Sequence, residues 1–180
     1  MSTQDNSPLS ENTTESTQET AAPPAMPLSI NLQYTKDLSF EVPQGAATFA
    51  TLRSAPEVNV NIDVQANRLE QEQAVFEVAL SIRAEATDPQ AAEDGNSKRV
   101  VFIAELTYAA IVTLDNPPQE LIEPILLVEV PRLLFPFARA IISDVTRDGG
   151  FPPIVLQPID FVSLWQAKRA QNFPEPAGEA

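Results

Sequence analysis

Residues 131–161 read PRLLFPFARAIISDVTRDGGFPPIVLQPIDF, and the fold class depends on how this stretch is parsed. Its first half has the composition of a helix. Over 132–147, Leu134, Phe135, Phe137, Ala138, Ile141, Ile142 and Val145 are apolar and cover more than a narrow stripe. Pro131 suits the first turn, where its missing N–H is harmless. Pro136 falls further in and is expected to kink the helix. Gly149 reads as the terminator. The second half, GGFPPIVLQPIDF, is an apolar loop whose prolines keep the backbone extended with few N–H groups to pair. Asp160 can then cap a last helix, FVSLWQAKRAQ.

Upstream the apolar period changes from helical to two. In INLQYTKDLSFEV (30–42), Leu32, Tyr34, Leu38, Phe40 and Val42 alternate with Gln33, Thr35, Asp37, Ser39 and Glu41; Lys36 is the exception. PEVNVNIDV (56–64) sets Val58, Val60, Ile62 and Val64 against Glu57, Asn59, Asn61 and Asp63. AVFEVALSIRAEA (74–86) sets Phe76, Val78, Leu80 and Ile82 against Glu77, Ser81, Arg83 and Glu85. KRVVFIAELTYAAIV (98–112) is apolar on both parities, with Glu105 in its middle, and reads as the most buried strand. The connectors NRLEQEQA and TDPQAAEDGNSK are polar turns, which favours an antiparallel meander. PQGAATFATLRSAP is expected to carry a helical turn between the first two strands. After Leu114, DNPPQ breaks the chain; Asp115 or Asn116 is expected to cap a short helix over 119–129 that Pro124 interrupts. Strands first and helices after predict an α+β fold: a four-stranded antiparallel sheet with helices packed on one face.

The chain has 180 residues, enough for one domain with a substantial core. Eleven basic and 25 acidic side chains give a net charge of −14. That disfavours nucleic-acid phosphates and anionic membrane surfaces and suits a basic protein partner. There is no cysteine and no histidine. Disulfides, thiol nucleophiles, His-based triads and Cys- or His-ligated metal sites are therefore excluded. Residues 1–28 are polar and carry acidic but no basic side chains, and 173–180 are similar; both are expected to be disordered tails around a folded domain, 29–172. The first residues lack the basic and apolar regions of a secretory signal, and no run reaches the length of a membrane helix. The expectation is a cytoplasmic protein with no cofactor.

Chemistry finds little support. Asp37 with Glu41, or Glu77 with Glu85, could be imagined as paired acids, but strand spacing puts each pair on an open face where nothing raises a pKa or excludes water. Gly149 and Gly150 follow a helix rather than precede one, so they do not cradle a phosphate. The apolar surfaces remain to be explained. Periodicity does not decide whether helix 132–147 is a core helix or also a self-association face. The proline-rich loop is open to two readings, a packed connector or one wall of a groove for an apolar polypeptide.

YTKDLSFEVP (34–43) and LLFPFARAIISDVTRDGGFPPIVLQPIDFVSLW (133–165) resemble the SecB family of bacterial protein-export chaperones. The similarity covers roughly residues 30–170 and includes the order of parts. SecB-like proteins are homotetramers, dimers of dimers with the long helices at the tetramer interface, and have no enzymatic activity. They hold unfolded precursor proteins and deliver them to SecA, the ATPase motor of the Sec translocon. The resemblance implies that Asp37, Glu41, Ile103 and Glu105 receive a small basic zinc-binding tail of SecA, the zinc belonging to the partner. The family often has Leu where this chain has Ile103. It makes Leu134, Phe135, Phe137, Ile141, Ile142 and Val145 candidates for the oligomer interface. Candidate client contacts, each also readable as core, are Ile111, Leu114, Phe151, Ile154, Leu156, Phe161, Leu164 and Trp165. The alternative is a SecB-like adaptor dedicated to one partner, such as a toxin–antitoxin pair. The set Asp37, Glu41 and Glu105 leans toward export, because an adaptor has no need of it.

Overall fold

Strand β1 spans Leu28–Glu41, helix α1 Ala46–Thr51, and strands β2, β3 and β4 span Glu57–Arg68, Val75–Asp88 and Arg99–Leu114. Helix α2 (Gln119–Pro124) runs through a wider π turn, Ile125–Glu129, into the long helix α3 (Val130–Asp148). Helix α4 spans Phe161–Asn172. The computed structural model describes residues 27–90 and 99–172; the two expected tails, apart from Pro27 and Leu28, and most of the β3–β4 loop lie outside them.

The sheet is antiparallel with strand order β1-β4-β3-β2. Only β2, β3 and β4 form the expected meander. β1 lies beside β4, so residues 42–56, carrying α1, must cross the end of the sheet. Three strand spacings, about 14 Å, lie within reach of such a connector.

Even-numbered side chains of β2, β3 and β4 face the helices. Val78, Leu80, Ile82, Ala84, Ala104, Leu106, Ala110 and Val112 form one core with Val130, Leu134, Ala138 and Ile142 of α3. Odd-numbered side chains from Ile103 onward in β4, and those up to Glu85 in β3, form an uncovered face, which includes Glu77, Arg83, Glu85 and Glu105; beyond a register shift between Ala86 and Thr87, odd-numbered Val101 is buried instead. β1 departs from the simple alternation. Its register against β4 shifts between Ile30 and Leu32 and again between Thr35 and Asp37. Two bulges thus invert the faces of the residues between them. Leu32 pairs with Ile111 and Tyr34 with Ala109, so both join the uncovered face, while Leu38 and Phe40 stay on the helix face opposite Leu106 and Ala104. Lys36, the exception in the alternation, sits in the second shift.

Neither Asp115 nor Asn116 caps α2. Pro118 occupies the cap position without a side-chain hydrogen bond; Asp115 N–H bonds the Pro27 carbonyl at 3.2 Å, and Asn116 has φ 42°. Pro131 has no N–H for a carbonyl one turn back, and the preceding Val130 N–H bonds Ile125 O, five residues away. At the other end of α3, Gly150 takes the left-handed conformation (φ 88°) while Gly149 is ordinary helix (φ −71°). Gly149 answers to space instead: a Cβ there would overlap the Phe40 ring. That ring is wedged against Phe102 and Phe151 at centroid distances of 5.5 and 6.2 Å.

The proline-rich segment is pinned by Thr146, which is fully buried. Its hydroxyl donates to the Ile142 carbonyl at 2.9 Å and accepts the Ile154 N–H at 3.0 Å. Asp160 caps α4 as expected: Oδ1 accepts N–H groups of Val162 and Ser163 at 3.0 and 3.1 Å, and Oδ2 accepts the Ser163 hydroxyl at 2.7 Å.

Gly149→Ala should destabilise the fold by about 1–3 kcal/mol, because the Phe40 ring would have to shift out of its packing against Phe102 and Phe151. Urea unfolding of the variant beside the parent measures this; an unchanged midpoint would show that the aromatic cluster yields easily.

Candidate functional site

The uncovered face is organised in rungs set by strand register. Glu41 of β1 lies opposite Ile103 of β4, which lies opposite Glu85 of β3. The next rung holds Ser39, Glu105, Arg83 and Asn61, and the third holds Asp37, Thr107, Ser81 and Asp63. Asp37, Glu41, Ile103 and Glu105, drawn from distant parts of the sequence, therefore share one face within three adjacent rungs. A shallow depression between them is lined by Asp37, Asp63, Arg83, Glu105 and Thr107.

These carboxylates are not equivalent. Glu77 is held by Lys36 Nζ at 2.6 Å and also accepts the Tyr34 hydroxyl. Both partners reach it because the first bulge turns Tyr34, and Lys36 two residues on, toward the side of the sheet that Glu77 occupies. The Lys36 hydrogen bond, with that of Tyr34 behind it, holds the Glu77 carboxyl below its ordinary pKa. The bond to Glu77 likewise raises the pKa of Lys36. Asp63 is held by Lys168 Nζ at 2.6 Å, reaching across from α4; the same ammonium donates to the Val64 carbonyl at 2.9 Å. Partial burial pushes Asp63 up, but the bonds from Lys168 and Gln65 outweigh it, and its pKa falls below the ordinary value. Glu105 and Glu85 share Arg83, whose guanidinium bonds Glu105 through one arm and Glu85 at 3.0 Å through the other. Asp37 and Glu41 form no ion pair among the described residues.

The apolar candidates separate by burial. Leu114, Phe151, Leu156 and Phe161 are sealed inside the protomer. Phe151 stacks among Phe102, Phe49 and Phe40, and Phe161 meets Phe135 edge-on at 6.0 Å. Ile154, Leu164 and Trp165 are half-buried on the helix side. Trp165 donates to Glu123 at 2.9 Å and carries Arg169 over its ring. Ile111 is half-buried on the uncovered face, away from the other seven. A shallow groove beside the β2 edge is lined by Val64, Ala66, Ile122, Leu126, Leu127 and Lys168.

Of the α3 candidates, Leu134, Phe135 and Ile142 pack on this chain's own sheet. Ile141 and Val145 are half-buried, and Phe137 is 51% exposed beside Leu133 at 46%.

A family model described as preprotein translocase subunit SecB matches residues 19–172. The chain belongs to the SecB family. It is 76% identical over 175 residues to protein-export protein SecB 1 of Gluconobacter oxydans, covering 96% of this chain and all of that one. It is 68% identical to protein-export protein SecB of Gluconacetobacter diazotrophicus, with 88% and 91% of the two chains covered. Among solved structures it resembles a SecB-like chaperone of Mycobacterium tuberculosis in complex with a peptide from an antitoxin. The TM-score is 0.56 at 16% identity, over 74% of this chain and 91% of that one, a likeness of fold. This is a SecB-type chaperone of protein export that binds client polypeptides, in a family of chaperones rather than enzymes; a dedicated toxin–antitoxin role is not favoured. Among the described residues no helix is long and apolar enough to cross a membrane.

Residue parity put Arg83 and Glu85 on the polar side of their strand, but did not reveal that one cation bridges Glu85 and Glu105. The bulges that move Leu32 and Tyr34 left a single trace, the misfit of Lys36. Leu133 and Val155, the latter 57% exposed, escaped the apolar candidates because neighbours of equal hydropathy surround them.

A carboxyl with a lowered folded pKa contributes stability above its unfolded pKa and loses it as pH falls through the folded value. Urea midpoints should therefore drop between about pH 5 and pH 3, and Glu77→Gln should flatten that slope. Equal slopes in both proteins would assign the acid sensitivity to other carboxylates.

Proposed function

We propose that this SecB protein holds unfolded precursor polypeptides in the cytosol and passes them to SecA, working as a dimer of dimers. The observation that carries this is the gathering of Asp37, Glu41, Ile103 and Glu105 on a face that no helix covers. Of the three carboxylates in that set, Asp37 and Glu41 have no internal counter-cation among the described residues, which suits them to a basic tail of SecA. The opposite side of the sheet serves clients. Ile154, Leu164 and Trp165 border the helix layer as half-buried contacts, with the β2-edge groove beside them. A holdase must accept many sequences, and apolar area with backbone contacts is tolerant of sequence where a shaped pocket is not. Motor and client thus meet different faces and need not compete.

Assembly draws on α3. Phe137 and Leu133, each about half exposed, forgo roughly half of the 1.5–3 kcal/mol that full burial of such a side chain brings, and a second copy recovers it. Phe137, Ile141 and Val145 are the members of the interface set still available for that contact.

Light scattering with an unfolded, secretion-bound polypeptide should show a tetramer that takes up the unfolded chain and ignores its folded form. A monomer, or equal uptake of both, would remove the holdase role. Glu41→Lys with Glu105→Lys should weaken SecA binding by about tenfold or more while tetramer and client uptake persist. SecA binding should also fall with added salt far more steeply than client binding. Parallel salt responses would mean that the two surfaces have been divided wrongly.

A further inference from the structure

The acidic face contains a cation of its own at its centre. Lys36 and Lys168 stand at the margins, one in the β1 bulge and one reaching around the β2 edge. Arg83 is different. It occupies the same rung as Glu105, directly across the β3–β4 pair, and spans Glu105 and Glu85 with two arms of one guanidinium. It also lines the depression that Asp37 and Asp63 border.

We infer that Arg83 is a specificity-determining residue of this face: a tethered competitor that a basic partner must displace from Glu105. The inference rests on the proposed docking of the SecA tail here. A lysine or arginine arriving at Glu105 meets a carboxylate already bonded and a like charge beside it. Glu105 keeps lone pairs for a second donor, but the repulsion remains until Arg83 swings away. Arg83 can leave, because its side chain is 43% exposed and water receives it as it turns. The competition penalises every cationic visitor. A single stray lysine does not overcome it. A partner that also engages Asp37 and Glu41, which lie one rung to either side of Glu105, does. Arg83 thereby trades affinity for selectivity on a protein whose charge of −14 attracts cations indiscriminately.

Fluorescence anisotropy of two labelled peptides tests this on the full chain at low and high salt. One is the zinc-loaded basic tail of SecA and the other is tetralysine. Arg83→Gln should bind the tail about two- to fivefold tighter at low salt, the factor typical of an exposed ion pair, and should gain more for tetralysine. Arg83→Lys keeps the charge but loses the fork and should lie between variant and parent. Arg53→Gln makes the same change in net charge at an exposed residue outside the strands of this face and should leave both affinities unchanged. Urea midpoints of all three verify folding. If the parent binds the tail and Arg83→Gln binds it equally or more weakly, Arg83 is not a competitor and the docking face stands. An Arg53→Gln gain equal to that of Arg83→Gln overturns the inference in favour of net charge alone. Should neither parent nor Arg83→Gln bind the tail, the docking face itself fails and the role of Arg83 goes with it.

Discussion

One stripe on α3 governs the rest of the molecule. Val130, Leu134, Ala138, Ile142 and Thr146 recur every four residues and are all fully buried. That spacing keeps them on one side of the helix, where they seal the even-numbered side chains of β3 and β4. Ala138 in the middle of the stripe adds little bulk between helix and sheet. Thr146 at the end satisfies its hydroxyl within the helix and offers its remaining capacity to Ile154 N–H, so the helix layer dictates the path of the proline-rich segment. Phe151 then enters the aromatic cluster beneath Phe40 and Phe102, and Leu156 and Phe161 close the core behind it.

Covering one face of the sheet leaves the other bare, and this asymmetry separates displayed charge from apolar area. The bare face is where charge is inexpensive to display, and it carries Asp37, Glu41, Glu85, Glu105 and Asp63 with few cations among them. Exposed charges at such a surface set encounter rate and selectivity more than raw affinity. The helix side carries the apolar area, partly spent on the core and partly left at Leu133, Phe137 and Val155. The coupling between sides is narrow: Lys168 extends from α4 to Asp63. Within the bare face, the register of β1 is braced to β3 through the Glu77 bonds.

Much of this was legible in the chain. Period-two alternation located the first three strands and a run apolar on both parities the fourth, each within a few residues, and parity placed Asp37 and Glu41 on the polar side. The Asp160 cap and the change to helices after Leu114 were equally readable, because caps and prolines act through local backbone geometry. Strand order was not, since residues 42–56 permit β1 to lie beside either β2 or β4. Burial along GGFPPIVLQPIDF was not legible either. A proline-rich extended segment has no period, and Phe151, Ile154, Val155 and Leu156 look alike in sequence while their exposures range from sealed to 57%.

The sequence by itself determined the elements, the acidic character of one sheet face and the family, because each is written in short-range pattern and composition. Tertiary structure decided which apolar residues are core, that Leu32 and Tyr34 cross to the polar side, and that Arg83 sits between Glu85 and Glu105. The physical reason is common to all three. A bulge, a buried ring and an ion pair across strands depend on which neighbour the fold brings alongside, and pairing between β3 and β4 joins residues whose separation in the chain no local pattern records.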